Sequence, residues 1–392
     1  MRLGLIFSND WELFGDGSGD YWEIQHRRLR QLLDVAAEYG ARITVMAEVG
    51  QQWAHRRLAE QNSWAREIAD DWEATLMDAL RQGSDVQLHL HPQWLDARWS
   101  GGKWHLNFEH WALSSLAGWE IAEALQQGKR YLESLLQPVR TAYRTVLFRA
   151  GAFCIEPAEQ AIVGLRKAGF LADTSVTKWL HDPRFYDYRG APSHVLPWEV
   201  DGSSVTRAGH GTGIIELPIL ATPIWDSPIL RKMGGWHYTR WLAKNERAYL
   251  RDRAAYVARE YPCAQRPVAP LQRSLSRVMS RLRCSLLRAH SISLDYDALP
   301  ATVFVDCVER LLDDPELRPV RDSDVIVPVM AIGHTKVIPH VENFRRVLSQ
   351  LVARLGDRIV FWSGQAAAEY WSARLRTPAA TDAPHAASRR VA

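Results

Sequence analysis

The sequence is poor in the features that commit a chain to a special environment. Its 4 cysteines, Cys154, Cys263, Cys284 and Cys307, lie far apart and form no CxxC pair, so they argue against a structural zinc site and offer no disulfide framework. No stretch reaches the roughly 18 to 20 uninterrupted apolar residues that a membrane-spanning helix needs. In the opening MRLGLIFSNDWELF, charged and amide residues break the apolar run before a secretory h-region can form, and a cytosolic protein is expected. A strong charge of one sign is also missing: the net charge of +3 gives no basic domain of the kind that tracks phosphates, so nucleic acid is not expected as a partner. There is no GxSxG elbow, no P-loop and no GxGxxG after the first apolar run, which leaves serine hydrolases, nucleotide hydrolases and dehydrogenases without their signatures. The glycine-rich GHGTG at 209–213 stands in the wrong context for phosphate binding.

What the sequence does contain is a large apolar fraction, 47% of 392 residues, enough to bury the core of a soluble enzyme. Short β-rich runs alternate with longer stretches of helical period. Strands are expected at 3–8, 42–46, 86–91 and 143–148, and helices at 22–39, 64–81, 116–136 and 156–168. A short strand then leads into Asp173. That alternation predicts an α/β fold with a closed or nearly closed parallel barrel. Regularity lapses after Asp173, with short strands expected at 194–198 and 213–217. A largely helical insertion is expected at about 234–313, with a break at 261–270. The pattern resumes with a strand at 325–331, a helix at 340–355, a strand at 358–362 and a helix at 366–375. Residues 1–376 are read as one domain, and the Ala-, Pro- and Arg-rich residues 377–392 as a disordered tail.

Four polar clusters fall at the C-terminal ends of expected strands, where a β/α barrel gathers its active site. In SNDWE, Asp10 and Glu12 stand two apart, so on an extended chain their carboxylates point the same way; by themselves they could equally open a surface loop. In QLHLHPQW, His89 and His91 have the same spacing and present two imidazoles to one side, a good pair of ligands for a divalent metal. In FRAGAF, Arg149 can hold a carboxylate ionised, or form an ordinary structural salt bridge, and Gly151 allows a close turn. In AIGHTK, His334 can donate a proton near neutral pH, or cap a loop.

Together with ADTS, these clusters occur in the order of the five motifs of the polysaccharide deacetylase family, also called the NodB-homology family or carbohydrate esterase family 4. The sequence resembles that family over residues 1–177 and 322–371, and most closely its divergent branch associated with lipopolysaccharide and capsule biosynthesis. The resemblance implies a distorted (β/α) barrel and removal of an acetyl group, N- or O-linked, from a sugar by a metal-bound water, with zinc the expected ion. It makes Asp10 the general base, Glu12 a metal ligand in place of the usual aspartate, and His89 the first metal histidine. Arg149 would orient Asp10, and Asp173 would support His334 as the acid. The family's second histidine stands four residues after the first, a position held here by Gln93, so His91 is expected to substitute from two residues away.

A carbohydrate partner suits the tryptophans in or near the expected rim loops, among them Trp11, Trp94, Trp99, Trp104, Trp111 and Trp198, whose faces can stack on pyranose rings; Trp11, Trp94 and Trp198 are taken as substrate contacts. The insertion carries nine arginines between Arg251 and Arg288 against only Asp252 and Glu260. Such a basic amphipathic stretch can rest on an anionic membrane surface or hold a pyrophosphate-linked glycan, or it can be a solvated helical face. The shifted second histidine motivates an alternative: a catalytically silent barrel that binds glycans or partner enzymes.

Overall fold

The computed structural model describes residues 1–223, 291–337 and 341–376. The helices expected within 234–290 and the tail 377–392 lie outside the described residues. Strands β1 (Arg2–Trp11), β2 (Ile43–Glu48) and β3 (Asp85–Leu90) are buried almost throughout. Parallel strands covered on both faces read as continuous apolar runs, and that is how they were recognisable. They continue through β4 (Leu147–Ala150), β5 (Ala172–Asp173), β6 (Trp198–Glu199), β7 (Ile215–Glu216), β8 (Ile326–His334) and β9 (Ile359–Phe361).

The resulting nine-stranded sheet has the order β6-β7-β5-β4-β3-β2-β1-β8, with β9 pairing the outer half of β1. All pairs along it are parallel except β6 with β7. The sheet curls until its edges meet at Ile219, which bridges Thr177 on one side and Met330 of β8 on the other. This is the distorted α/β barrel expected from the alternation, closed by isolated bridges where the strands become too short to form a continuous ladder.

Helices α1 (Arg28–Glu38), α3 (Ser63–Arg81), α4 (Gly118–Leu136) and α5 (Glu159–Ala168) follow their strands within a few residues of expectation. In α3, Ala65, Ile68, Ala69, Trp72, Leu76, Ala79 and Leu80 form the buried stripe that helical period demands, and the Asn62 side chain caps Trp64 N at 3.2 Å. The helix α2 (Val49–Ala59) was not expected, because its inward face is polar. There Gln51 accepts from Leu13 N and Gln52 donates to Ala69 O.

The expected strands at 194–198 and 213–217 shrink to two residues each. The segment 291–313, expected to be helical, begins with a short strand, Ser291–Ser293, before α6 (Ala301–Arg310). That strand pairs with Ala221–Pro223, and Tyr296 N donates to Ile332 O, so residues 294–297 are laid along the C-terminal half of β8. Gly333 is required by that approach: a Cβ there would stand 2.2 Å from the Tyr296 ring. The last two helices are α7 (Glu342–Leu355) and α8 (Gly364–Arg376). Among the described residues, no helix is long and apolar enough to cross a membrane.

An ion-pair latch fixes the loop after β5 to the turn Pro315–Val320. His194 lies 3.1 Å from Asp314 through Nε2 and 3.1 Å from Glu316 through Nδ1, with Trp179 stacked on its ring. Burial works against protonation of His194, but the two carboxylates outweigh it and push the imidazole up to about 9. The folded state therefore binds a proton more tightly than the unfolded chain does. Its contribution, on the order of 2 kcal/mol, is fully present below about pH 6.5 and is lost as the pH rises through 9. Urea unfolding between pH 6 and pH 10 should show that decline in the wild type, and His194→Leu should make it shallower, with a loss of stability that is largest at pH 6 and shrinks toward pH 10.

Candidate active site

The C-terminal ends of β1, β3, β4 and β8 converge. Asp10 pairs with His334 in the register of β1 with β8, and His89 pairs with Arg149 in that of β3 with β4. The Arg149 side chain is completely buried. Its Nη1 donates to Asp10 Oδ1 at 2.5 Å, Nη2 to Ser8 Oγ at 2.9 Å, and Nε to Thr174 O at 3.0 Å. Burial raises the Asp10 carboxyl, but the Arg149 guanidinium, helped by His89 and His334, outweighs this and holds it well below the usual carboxylate range. His334 Nε2 lies 3.4 Å from Asp10 Oδ2, so one carboxylate bridges an arginine and a histidine.

Glu12 lies just past the end of β1 and faces the same side as Asp10. Its Oε2 stands 2.6 Å from His91 Nε2 and 3.4 Å from His89 Nε2, while Oε1 pairs with Lys336 Nζ. Burial opposes its ionisation, and His91 and Lys336 overcome that, so Glu12 too is held well below its ordinary value. His91 follows β3 but keeps an extended backbone, with φ −101° and ψ 106°, and both rings therefore reach the same side. The rings meet edge to face with centroids 4.9 Å apart. Gly151 permits this placement, since a Cβ there would lie 2.5 Å from the His91 ring.

Glu12, His89 and His91, with Glu48, bring donor atoms within 4.8 Å of one another and could hold a metal ion. The fit can be judged from the nitrogens. Both Nε2 atoms are buried and have no hydrogen-bond partner, although a carboxylate oxygen is close to each. His89 must carry its proton on Nδ1, because that nitrogen faces the Arg149 carbonyl at 2.9 Å and a carbonyl can only accept. Its Nε2 lone pair is thereby free for a metal. Two imidazoles and one carboxylate are a ligand set that zinc takes in catalytic sites with a position left open. Glu48 is committed elsewhere: it caps α2 through Gly50 N at 2.8 Å and accepts from His91 N at 2.7 Å. Burial pushes its carboxyl up to about 8.

Several expectations need correction. Asp173 does not support His334; its oxygens accept from Ser175 N and Oγ, and it faces Glu216 across the β5–β7 pair. Besides Asp10, the carboxylate that meets His334 is Asp297, whose Oδ2 accepts from His334 N at 2.9 Å and lies 3.9 Å from Nδ1. Trp11, Trp94 and Trp198 do not line a rim. Strand alternation sends Trp11 to the face opposite Asp10 and Glu12, where it stacks on Trp72 at 5.4 Å. Trp94 is buried against Trp104, and Trp198 is buried with its indole N–H donated to Val205 O.

Sequence reasoning gave no role to Asp297, Glu48 or Lys336. Glu48 ends a strand at the same rim as the other clusters, a signal that could have found it, and Lys336 lies within AIGHTK. Nothing in the sequence marks Asp297. Asp295, Asp297 and His334 form a second group with donor atoms inside 4.8 Å, and His334 faces Asp10.

No protein-family model and no curated protein matches the sequence. Solved structures similar to it include a protein from Mycobacterium smegmatis assigned as a polysaccharide deacetylase, with 13% identity over 98% of this chain and 95% of that one and a TM-score of 0.47. Another so assigned, from Pseudomonas aeruginosa, has 12% identity over 94% of this chain and 90% of that one, TM-score 0.43. An allantoinase has 11% identity over 95% and 90%, TM-score 0.42. The likeness is one of fold; what the site can do follows from its own residues.

Behind Arg149, burial pushes the Asp173 carboxyl up to about 6, and burial together with Asp173 raises Glu216 well above its ordinary value. The folded state thus keeps protons that the unfolded chain releases. Stability from this pair is present below the ordinary carboxyl range, near pH 4, and is lost as the pH rises through 6 and beyond. Glu216→Gln, which keeps an acceptor for Val176 N, should leave urea stability nearly unchanged at pH 5 and raise it by about 1–2 kcal/mol at pH 8.

Proposed function

We propose that this chain is a metal-dependent hydrolase that removes an acetyl group, N-linked or O-linked, from a sugar of a surface polysaccharide or its lipid-linked precursor, with zinc as the ion. One observation carries this reading: two buried, unpartnered imidazole nitrogens face a single oxygen of a buried carboxylate, beside a second carboxylate that is held ionised. Glu12, His89 and His91 would hold the ion. When bound, it polarises a carbonyl and lowers the pKa of a water.

The chain's own residues supply the rest. Asp10, kept ionised by Arg149, offers Oδ2 as the acceptor for the proton of the attacking water. His334, less buried than the others and fixed through its backbone by Asp297, delivers a proton to the leaving nitrogen or oxygen. Arg149 is the positioning residue for Asp10. Lys336 neutralises the Glu12 oxygen that faces away from the imidazoles.

For the sugar, the aromatic group next to the site is Trp111. Its ring stands edge-on to His91 with centroids 6.4 Å apart, and Phe108 and Phe185 flank it at 6.3 Å each. Phe108 is 53% exposed, and such a ledge suits the apolar face of a pyranose. The arginine-rich segment between Arg251 and Arg288 supports a lipid-linked, pyrophosphate-bearing substrate at the cytoplasmic face of a membrane. A catalytically silent barrel that binds glycans or partner enzymes is favoured by one feature, the Lys336 ammonium already paired with the Glu12 ligand.

Acetate release from N-acetylglucosamine oligomers and from an O-acetylated xylan, measured on zinc-loaded protein, tests the choice. The hydrolase reading expects release from one of the two. Asp10→Asn and His334→Ala should each lower kcat by about 10²–10⁴-fold with metal content unchanged, whereas His89→Ala should lose both metal and activity. Zinc-loaded protein that releases acetate from neither would favour the silent barrel.

A further inference from the structure

His89 and His91 face the same carboxylate, but their other nitrogens meet opposite chemistry. His89 Nδ1 faces the Arg149 carbonyl, which can only accept, so the proton sits on Nδ1 and Nε2 is free to ligate. His91 Nδ1 lies 3.0 Å from the amide nitrogen of Gln93, which can only donate. In that orientation Nδ1 is the acceptor and the proton is forced onto Nε2, the nitrogen 2.6 Å from Glu12 Oε2. Yet His91 Nε2 makes no hydrogen bond there, and Gln93 Oε1, fully buried, has no partner either. Two buried polar atoms around this imidazole and this amide are thus unsatisfied, an arrangement that costs free energy unless a ligand relieves it.

A carboxamide has nearly the same shape when its oxygen and nitrogen exchange places. Rotating Gln93 by a half-turn puts Oε1 on His91 Nδ1. The proton then belongs on Nδ1, and the Nε2 lone pair points at the space shared with His89 and Glu12. The Gln93 backbone is anchored for this, its carbonyl accepting from Asn107 N at 3.2 Å. The His91 ring is equally confined, between its own backbone N–H on Glu48 and the Gly151 Cα. Without metal, the Glu12 carboxylate 2.6 Å from Nε2 favours the proton there; once Nε2 ligates, the proton must sit on Nδ1 and the amide must accept it.

We infer that Gln93 is the positioning residue that makes His91 a metal ligand: its amide oxygen accepts from His91 Nδ1–H in the metal-bound protein, and its amide rotates as metal enters. This rests on the metal-dependent reading proposed above.

The test is the zinc dissociation constant of the full-length chain, measured by competition with a chromophoric chelator, together with ¹⁵N NMR of the His91 ring. Gln93→Leu, which removes the acceptor, should weaken zinc binding about 10–100-fold. Gln93→Glu, which can only accept, should restore it to within a few-fold of wild type. A merely structural role predicts the reverse, because a buried carboxylate packs less well than leucine. The ¹⁵N shifts of zinc-saturated wild type should place the His91 proton on Nδ1, a readout that needs no variant to fold. Zinc binding unchanged in Gln93→Leu, equal losses in Leu and Glu variants, or a zinc complex whose His91 carries no proton on Nδ1 would each overturn the inference. A wild type that binds no zinc would instead overturn the metal reading itself, and this inference with it.

Discussion

The buried Arg149 guanidinium is the interaction on which the site depends. It ties together three chain segments, through Asp10 and Ser8 of β1 and the Thr174 carbonyl just past β5, while its own carbonyl fixes the tautomer of His89 on β3. A charge with no exposure to solvent is tolerated only when it is paired and its donors are satisfied, and removing one partner from such a pair costs about 3–5 kcal/mol. Arg149 meets that condition with a carboxylate, a hydroxyl and a carbonyl. The geometry that satisfies it is the geometry that aims Asp10 at His334 and His89 at Glu12, so the stability of the barrel rim and the arrangement of its chemistry have one origin.

Around this anchor the buried carboxyls divide into two kinds. Asp10 and Glu12 each have cationic or imidazole partners and are held ionised. Glu48, Asp173 and Glu216 are equally buried but meet mainly backbone N–H groups, hydroxyls or one another, and burial raises them. The distance between the two kinds is short: Asp173 and Arg149 lie on the same pair of neighbouring strands, yet the guanidinium is turned to Asp10. Ionisation is thus favoured on the two carboxylates that face His89, His91 and His334, and opposed by burial in the layer behind them.

Much of this was legible in the sequence, and for definite reasons. Parallel strands buried on both faces are nearly continuous apolar runs, so β1, β2, β3 and β8 stood out, and the polar clusters at strand C-terminal ends, taken together, pointed to a site. Asp10, Glu12, His89, His91, Arg149 and His334 were picked out that way, and the fold brings all six together. The same alternation places Trp11: between two inward carboxylates it has to face outward, into the helix layer. Other features depend on contacts distant in sequence. Asp297 reaches His334 only because residues 294–297 lie along β8, and no local pattern announces that pairing. Helix α2 hid behind an inward face of glutamines and a histidine, which bind loops and a neighbouring helix instead of packing an apolar stripe.

The most direct test of the central claim is a crystal structure of the zinc-soaked protein with anomalous differences recorded at the zinc edge. A single strong peak about 2.0–2.2 Å from His89 Nε2, His91 Nε2 and a Glu12 oxygen, with Asp10 outside the coordination shell, is the predicted result. A peak among Asp295, Asp297 and His334, or no peak with Lys336 still paired to Glu12, would contradict the account.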